Sequence, residues 1–344
     1  MKRIGNLFDQ CFTVDNLYQA FITARKGKRN KRAVFEFEKN LAFNLIQLHK
    51  EIHSGIYQPK PYFTFTIYEA KPRIIHAPAF RDVVVQHAIY KFIYPIFDST
   101  FIHTSYACRK GKGTHRCANF VQESMRKVSS DSYTLHLDVK KFFYNIDRTI
   151  LSNLLERKIK DQRLLKIMNL YSNYEGDKGI PIGNLLSQIY ASIYLNPVDH
   201  YIKRELKVKY YARYVDDLVL VGLSKEQSTN YQQKIQSFLK NILKLDLSKY
   251  KIALLKKGLN FVGYRTWRSK RFVRKHSLHQ FGKRLREGNV LSLNSLMGHA
   301  RNTSTHSHYC NRINTENPEL IPYLPHFNRN LFKSCQTAFT AIPQ

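Results

Sequence analysis

No run in this sequence approaches the roughly 20 consecutive apolar residues that a membrane-spanning helix requires, and the opening Met1-Lys2-Arg3-Ile4-Gly5 lacks the apolar core of a secretion signal. With no basic amphipathic helix and no lipidation motif either, a cytoplasmic chain with no membrane partner is expected. Cysteines are few. Cys11, Cys108, Cys117, Cys310 and Cys335 are odd in number and irregular in spacing, which indicates neither a disulfide framework nor a zinc ribbon. His103, Cys108, His115 and Cys117 cluster in sequence, but their spacing fits no common zinc pattern. Acids are scarce as well: 25 Asp plus Glu stand against 56 Lys plus Arg, a net charge of +31. An excess of that size makes a polyanion the expected partner, with nucleic acid first. Internal repeats and low-complexity segments are missing, and 344 residues suit two or three packed subdomains.

Against that basic background the acidic residues that do occur are informative. Tyr210 to Gly222 reads as a β-hairpin, with aromatic and β-branched residues flanking Asp216-Asp217. Two adjacent carboxylates resist joint ionisation unless a cation offsets their repulsion, and Mg²⁺ is the natural hard cation. Asp-Asp is also an ordinary polar turn. A second site decides between these: Leu135-His136-Leu137-Asp138-Val139 is an apolar strand ending in one aspartate, followed by the aromatic turn Phe142-Phe143-Tyr144. One single and one double strand-end carboxylate site can hold two metals, which would activate an attacking hydroxyl and stabilise a leaving pyrophosphate. That is the chemistry of a polymerase palm.

Other stretches fill in around these two. Between residues 24 and 32, Arg25, Lys26, Lys28, Arg29, Lys31 and Arg32 occur without an acid, as either a solvated loop or a sequence-independent phosphate contact. Apolar residues from Val34 to Ile52 recur every three or four positions, predicting one amphipathic helix over 33–54. Phe63, Phe65 and Ile67 alternate with polar partners as a strand does, and a return strand follows a turn bearing Lys71 and Arg73. Such cations could grip a triphosphate or simply be solvated. Helices are predicted over 80–98, over 150–171 as a pair, and from the Gly179–Gln188 loop through Leu206 with an interruption at Pro197. That Gly-bearing loop is expected to leave backbone N–H groups free for a nucleotide or template. Lys225 to Leu243 reads as a helix and Leu259 to Tyr264 as one strand. From Arg265 to Arg286 nine Lys or Arg, among them Arg268, Lys270, Arg271, Arg274 and Lys275, interleave with Trp267, Phe272 and Phe281, as a groove following a nucleic-acid backbone would need.

In order, these motifs resemble the reverse transcriptase series from about Lys71 to Tyr264. Asp138 matches the family's first metal-binding aspartate, and Tyr214-Val215-Asp216-Asp217 its Tyr-x-Asp-Asp hairpin. The resemblance implies that Asp138 and Asp216 ligate two Mg²⁺ ions, for which Mn²⁺ can substitute, with the Val139 carbonyl helping and Asp217 supporting. It implies that Phe143 excludes ribonucleotides, that Lys71 and Arg73 bind the triphosphate, and that Leu259 to Tyr264 leads into the primer grip. Where most members carry Gln-Gly-x-x-x-Ser-Pro, this chain has Ile182-Gly183-Asn184-Leu185-Leu186-Ser187-Gln188. Ile182 and Gln188 resemble the enzymes of diversity-generating retroelements.

The resemblance implies an α+β right hand: a basic helical extension over 1–60, fingers over 61–130, a palm over 131–264 and a basic helical thumb over 265–344. The implied partners are a template RNA, a primer or growing cDNA, deoxynucleoside triphosphates and a small basic, oligomeric accessory variability protein. The setting is bacterial or phage-encoded. The retroelement subtype would misincorporate opposite template adenine during mutagenic retrohoming. The alternatives are a group II intron-like enzyme of ordinary fidelity and a non-catalytic RNA-binding scaffold.

Overall fold

The computed structural model describes residues 3–68, 72–173 and 176–327, and it mixes helices with three small sheets. Strands β1 (Phe63–Tyr68) and β2 (Pro72–Ala77) form an antiparallel hairpin in which Phe65 faces Ile75 and Ile67 faces Arg73. Strands β3 (Tyr133–Val139), β4 (Tyr210–Tyr214), β5 (Asp217–Leu223) and β6 (Leu247–Leu254) form a four-stranded sheet in the order β4-β5-β3-β6. Strands β7 (Leu259–Phe261), β8 (Tyr264–Thr266) and β9 (Arg271–Val273) make an antiparallel three-stranded sheet. None of the helices among the described residues is long and apolar enough to cross a membrane.

The chain divides into two compact units. One comprises the residues up to Gly113 with His136–Val219 and Thr229–Lys251. Its core joins the odd residues of β3, Leu137 and Val139, with Tyr211, Leu218 and Val219 and with the helix Leu185–His200, whose Tyr190 and Tyr194 are fully buried. Their hydroxyls are satisfied by the carbonyls of Met168 (2.9 Å) and Leu243 (2.6 Å), as buried tyrosine requires. The N-terminal helices pack on the helix Phe80–Asp98, with Phe21, Phe37 and Phe80 meeting at ring separations of 5.5–6.2 Å.

Three sequence expectations need correction. The helix over 33–54 is two helices, Arg32–Lys39 and Leu41–His53, broken at Asn40, where φ is −120° and ψ is 44°. The break keeps the four-residue spacing from Phe37 to Leu41 to Leu45, so periodicity is blind to it. Pro197 does not interrupt its helix but lies inside Leu185–His200, which continues into a π-helical turn at Tyr201–Glu205. The strand Leu259–Tyr264 is a hairpin instead, turned at Val262 (φ 42°) and Gly263 (φ 87°). At Gly263 a Cβ would lie 2.9 Å from the His299 ring, so only glycine fits.

The second unit holds Thr114–Leu135, Leu220–Ser228 and the chain from Ile252. Tyr264 is its centre. The phenol oxygen lies 3.1 Å from Nδ1 of both His115 and His299 and donates to the His299 carbonyl at 2.8 Å, while the His299 ring stacks on it at 4.4 Å. Burial, then Arg271 and Arg301, hold the His115 imidazole below the usual histidine range; burial, then His115 and Arg274, do the same for His299. A folded pKa below the unfolded value of about 6.5 contributes stability that is present above that pH and lost as pH falls through the folded value. The thermal midpoint is therefore expected to drop between pH 7.5 and 5, and the drop to shrink in His115→Gln, measured by calorimetry across that range.

Candidate active site

The β4–β5 hairpin turns in two residues, Val215 and Asp216. Two-residue hairpins favour left-handed backbone, and Val215 adopts it at φ 55°, although it is β-branched and poorly suited to that region. The Asp216 carbonyl accepts the Val139 N–H at 3.3 Å, which ties the turn to the end of β3. Asp138 lies on the same face of β3 as His136, opposite the buried Leu137 and Val139. Burial chiefly, then the like charges of Asp217 and Asp138, push the half-buried Asp216 carboxyl up to about 6, while Arg73 draws it back down. The Asp216 carboxyl thus lies in the field of the other two.

Two neighbours that sequence reasoning missed steady this group. His136 Nε2 lies 3.0 Å from Asp217 Oδ1, and the Ser248 hydroxyl of β6 donates to the Asp138 carboxylate. His136 could have been found from its place two residues before Asp138 on one strand face; Ser248, more than a hundred residues away, had no local signal. The turn after β3 is closed by Lys141 in left-handed conformation (φ 43°) and by Asn145 Nδ2 donating to the Lys140 carbonyl at 2.8 Å. It leads into the short helix Phe142–Asn145, with Phe142 buried and Phe143 half-exposed.

Among the described residues, no three His, Cys, Asp or Glu side chains form a ready-made metal cage. That includes the His103, Cys108, His115 and Cys117 cluster. Mg²⁺ needs no such cage, because one or two carboxylates complete their shell with water and substrate phosphates. A mutually repelling carboxylate group of all-oxygen donors fits a hard divalent cation on that ground.

Around the aspartates, Arg73 is exposed on β2, and Lys71 lies outside the described residues. The Gly179–Gln188 loop is fitted closely to its surroundings. Ile182 is half-buried and its carbonyl accepts the His76 N–H at 2.7 Å; Gln188 is exposed. The expected free N–H groups at the start of the Leu185–His200 helix are not free, because Gln86 Oε1 accepts from Leu185 N–H at 2.9 Å and lies 3.4 Å from the amide of Leu186. The cause is a glutamine arriving from a distant helix, invisible to local sequence.

The basic stretches are also sorted by burial. Lys28, Arg29, Lys31 and Arg32 are exposed, whereas Arg25 pairs with Glu38 and lies over the Phe21 ring. Arg268, Lys270, Arg274 and Lys275 are exposed, but Arg271 is buried and bonded to Asn119, the Ala118 carbonyl and Gln122 at 2.8–2.9 Å. Arg271 is therefore corrected from a backbone-phosphate contact to an internal strut, whereas Arg25 is half-buried beside Glu38.

The family model for reverse transcriptase (RNA-dependent DNA polymerase) matches residues 59–266. This chain belongs to that family. Its domain is that of an RNA-directed DNA polymerase, with group II intron-encoded and maturase homologues. Protein YkfC of Escherichia coli (strain K12) is 25% identical over 280 residues, 68% of this chain and 74% of that protein. The group II intron-encoded protein LtrA of Lactococcus lactis subsp. cremoris is 26% identical over 173 residues, 47% of this chain and 28% of LtrA. Nuclear intron maturase 4, mitochondrial, of Arabidopsis thaliana is 24% identical over 177 residues, 47% of this chain and 21% of the maturase. In fold the chain is similar to telomerase from Candida albicans, at a TM-score of 0.51 and 11% identity, over 80% of this chain and 58% of the telomerase chain.

Gly183 gives a test of the loop. It sits at φ 121°, and a Cβ there would come 2.7 Å from the His76 carbonyl oxygen. Gly183→Ala should pry the loop from β2 and cut primer extension by about tenfold or more, since small displacements near reacting groups are costly. Steady-state extension beside circular dichroism would separate this from unfolding.

Proposed function

We propose that this chain copies an RNA template into DNA, adding deoxynucleotides to a primer 3′-hydroxyl. In this reading the β1–β2 hairpin belongs to fingers, the four-stranded sheet to a palm and the helices beyond β9 to a thumb. The observation that carries it is the Asp216-Asp217 turn tied to the end of β3, where the Asp216 carbonyl accepts the Val139 N–H beside Asp138 at 3.3 Å, in a chain whose residues 59–266 match the reverse transcriptase model. Asp138 and Asp216, with the Val139 carbonyl, would hold two Mg²⁺ ions and Asp217 would support them. Bound there, the ions supply charge neutralisation for an in-line phosphoryl transfer.

The remaining residues bind and orient. Arg73, with Lys71, would offer cations to the triphosphate, and the half-exposed Phe143 ring would crowd a ribose 2′-hydroxyl. Lys28, Arg29, Lys31, Arg32, Arg268, Lys270, Arg274 and Lys275 offer exposed charge to phosphate backbones without sequence preference. Asp216→Asn should lower primer extension on an RNA template by roughly 10²-fold or more, the scale of losing a charge-stabilising group. Retained activity would favour an RNA-binding scaffold instead.

A second reading concerns fidelity and is favoured by Ile182 and Gln188 in the loop against β2. A glutamine at 182 could hydrogen-bond the incoming sugar, and isoleucine offers only apolar contact. A net hydrogen bond of about 0.5–1.5 kcal/mol changes discrimination up to roughly tenfold. On this reading the chain is the enzyme of a diversity-generating retroelement, copying a template-repeat RNA with errors at adenine beside a basic accessory protein. Sequenced cDNA from Ile182→Gln should then carry fewer errors opposite template adenine. An unchanged spectrum would return the chain to the group II intron-like enzymes of ordinary fidelity.

A further inference from the structure

Behind the β4–β5 turn lies an ion pair removed from water. Arg213, on β4, is 1% exposed and Asp199, on the helix Leu185–His200, is 0% exposed. Arg213 Nε lies 2.8 and 2.9 Å from the two Asp199 oxygens, and Nη2 donates to Oδ2 at 2.7 Å. The Tyr211 hydroxyl adds a third donor to Oδ1 at 2.6 Å. Such pairs seldom stabilise more than well-packed apolar side chains would, because both charges must be desolvated. Stability alone therefore does not account for this one.

Its geometry does. Nη2 also donates to the Ser192 carbonyl at 3.4 Å, and Nη1 donates to the Val215 carbonyl at 3.0 Å. Val215 is the β-branched residue in left-handed backbone immediately before Asp216. The base of the strut is also clamped: Arg213 N–H donates to the Thr104 carbonyl and its carbonyl accepts Tyr106 N–H, both at 3.0 Å. One planar fork thus connects a fixed carboxylate on the helix to the strained residue of the turn, a span a lysine ammonium cannot reproduce.

We propose that Arg213, anchored by Asp199, is a positioning residue that holds Val215 left-handed and so sets where the turn presents the Asp216 carboxylate. This rests on the reading of Asp216 as a metal ligand. A loss of the strut leaves the carboxylate in place chemically but lets the turn relax.

The test is single-turnover primer extension with Mg²⁺, in which amplitude reports the fraction of competent enzyme and rate reports the geometry of the site. Arg213→Lys should slow the rate about tenfold or more, leaving amplitude and the half-saturating deoxynucleotide concentration unchanged. Adding Val215→Gly, which takes a left-handed turn without strain, should restore most of the rate. An unchanged rate, a fall in amplitude alone, or no rescue by glycine would overturn the proposal. Should Arg213→Lys give no folded chain, Asp199→Asn with and without Val215→Gly is read the same way. Asp216→Asn in the same assay separates the two claims: full activity there sinks the site itself, whereas its loss beside a normal Arg213→Lys sinks only the strut.

Discussion

The tie between the Asp216 turn and the end of β3, which brings Asp216 and Asp217 beside Asp138, is the constraint on which the rest of the site depends. Carboxylates placed this close and partly withdrawn from water would turn away from one another on a pliable scaffold. They are held instead by the ends of paired strands, with the Asp216 carbonyl bonded to Val139 N–H and the Ser248 hydroxyl and His136 ring against the outer two. A rigid sheet is the support that a precise constellation needs. Burial first, then the charges of Asp217 and Asp138, raise the Asp216 carboxyl.

Rigidity at the aspartates contrasts with the way the neighbouring loop is built. Gly179–Gln188 has no regular structure of its own before its helix begins, yet Ile182 is bonded to His76, Gly183 lies against the same residue, and Gln86 takes the first helical N–H. Family membership and the carboxylate geometry speak for template-directed DNA synthesis. The proposed subtype rests on Ile182 and Gln188, in a loop whose backbone is already fixed by partners on β2 and on the helix Phe80–Asp98.

The buried charges belong to the same logic. In a chain with net charge +31, most cations face solvent, where they serve a polyanion at little cost. Arg213 and Arg271 do not; each is turned inward onto protein acceptors. Charge counted along the sequence therefore overstates the surface available to nucleic acid, most clearly around β9.

Much was legible in the sequence because its cause is local. Strand ends bearing Asp138 and Asp216, the helices Phe80–Asp98 and Lys225–Leu243, and the β1–β2 hairpin follow from side-chain periodicity and turn chemistry within a few residues. What stayed hidden has a non-local cause. The break at Asn40 preserves the apolar spacing, the Gly263 turn is hemmed in by the ring of distant His299, and Gln86 reaches its helix terminus across nearly a hundred positions. By itself, the sequence determined the family and supplied the carboxylates proposed to do its chemistry, since a carboxylate must be written into the chain to be present. Only the tertiary structure decided which groups those carboxylates face and which arginines are spent inside, because partners distant in sequence are chosen by packing and by the need to satisfy every buried polar group.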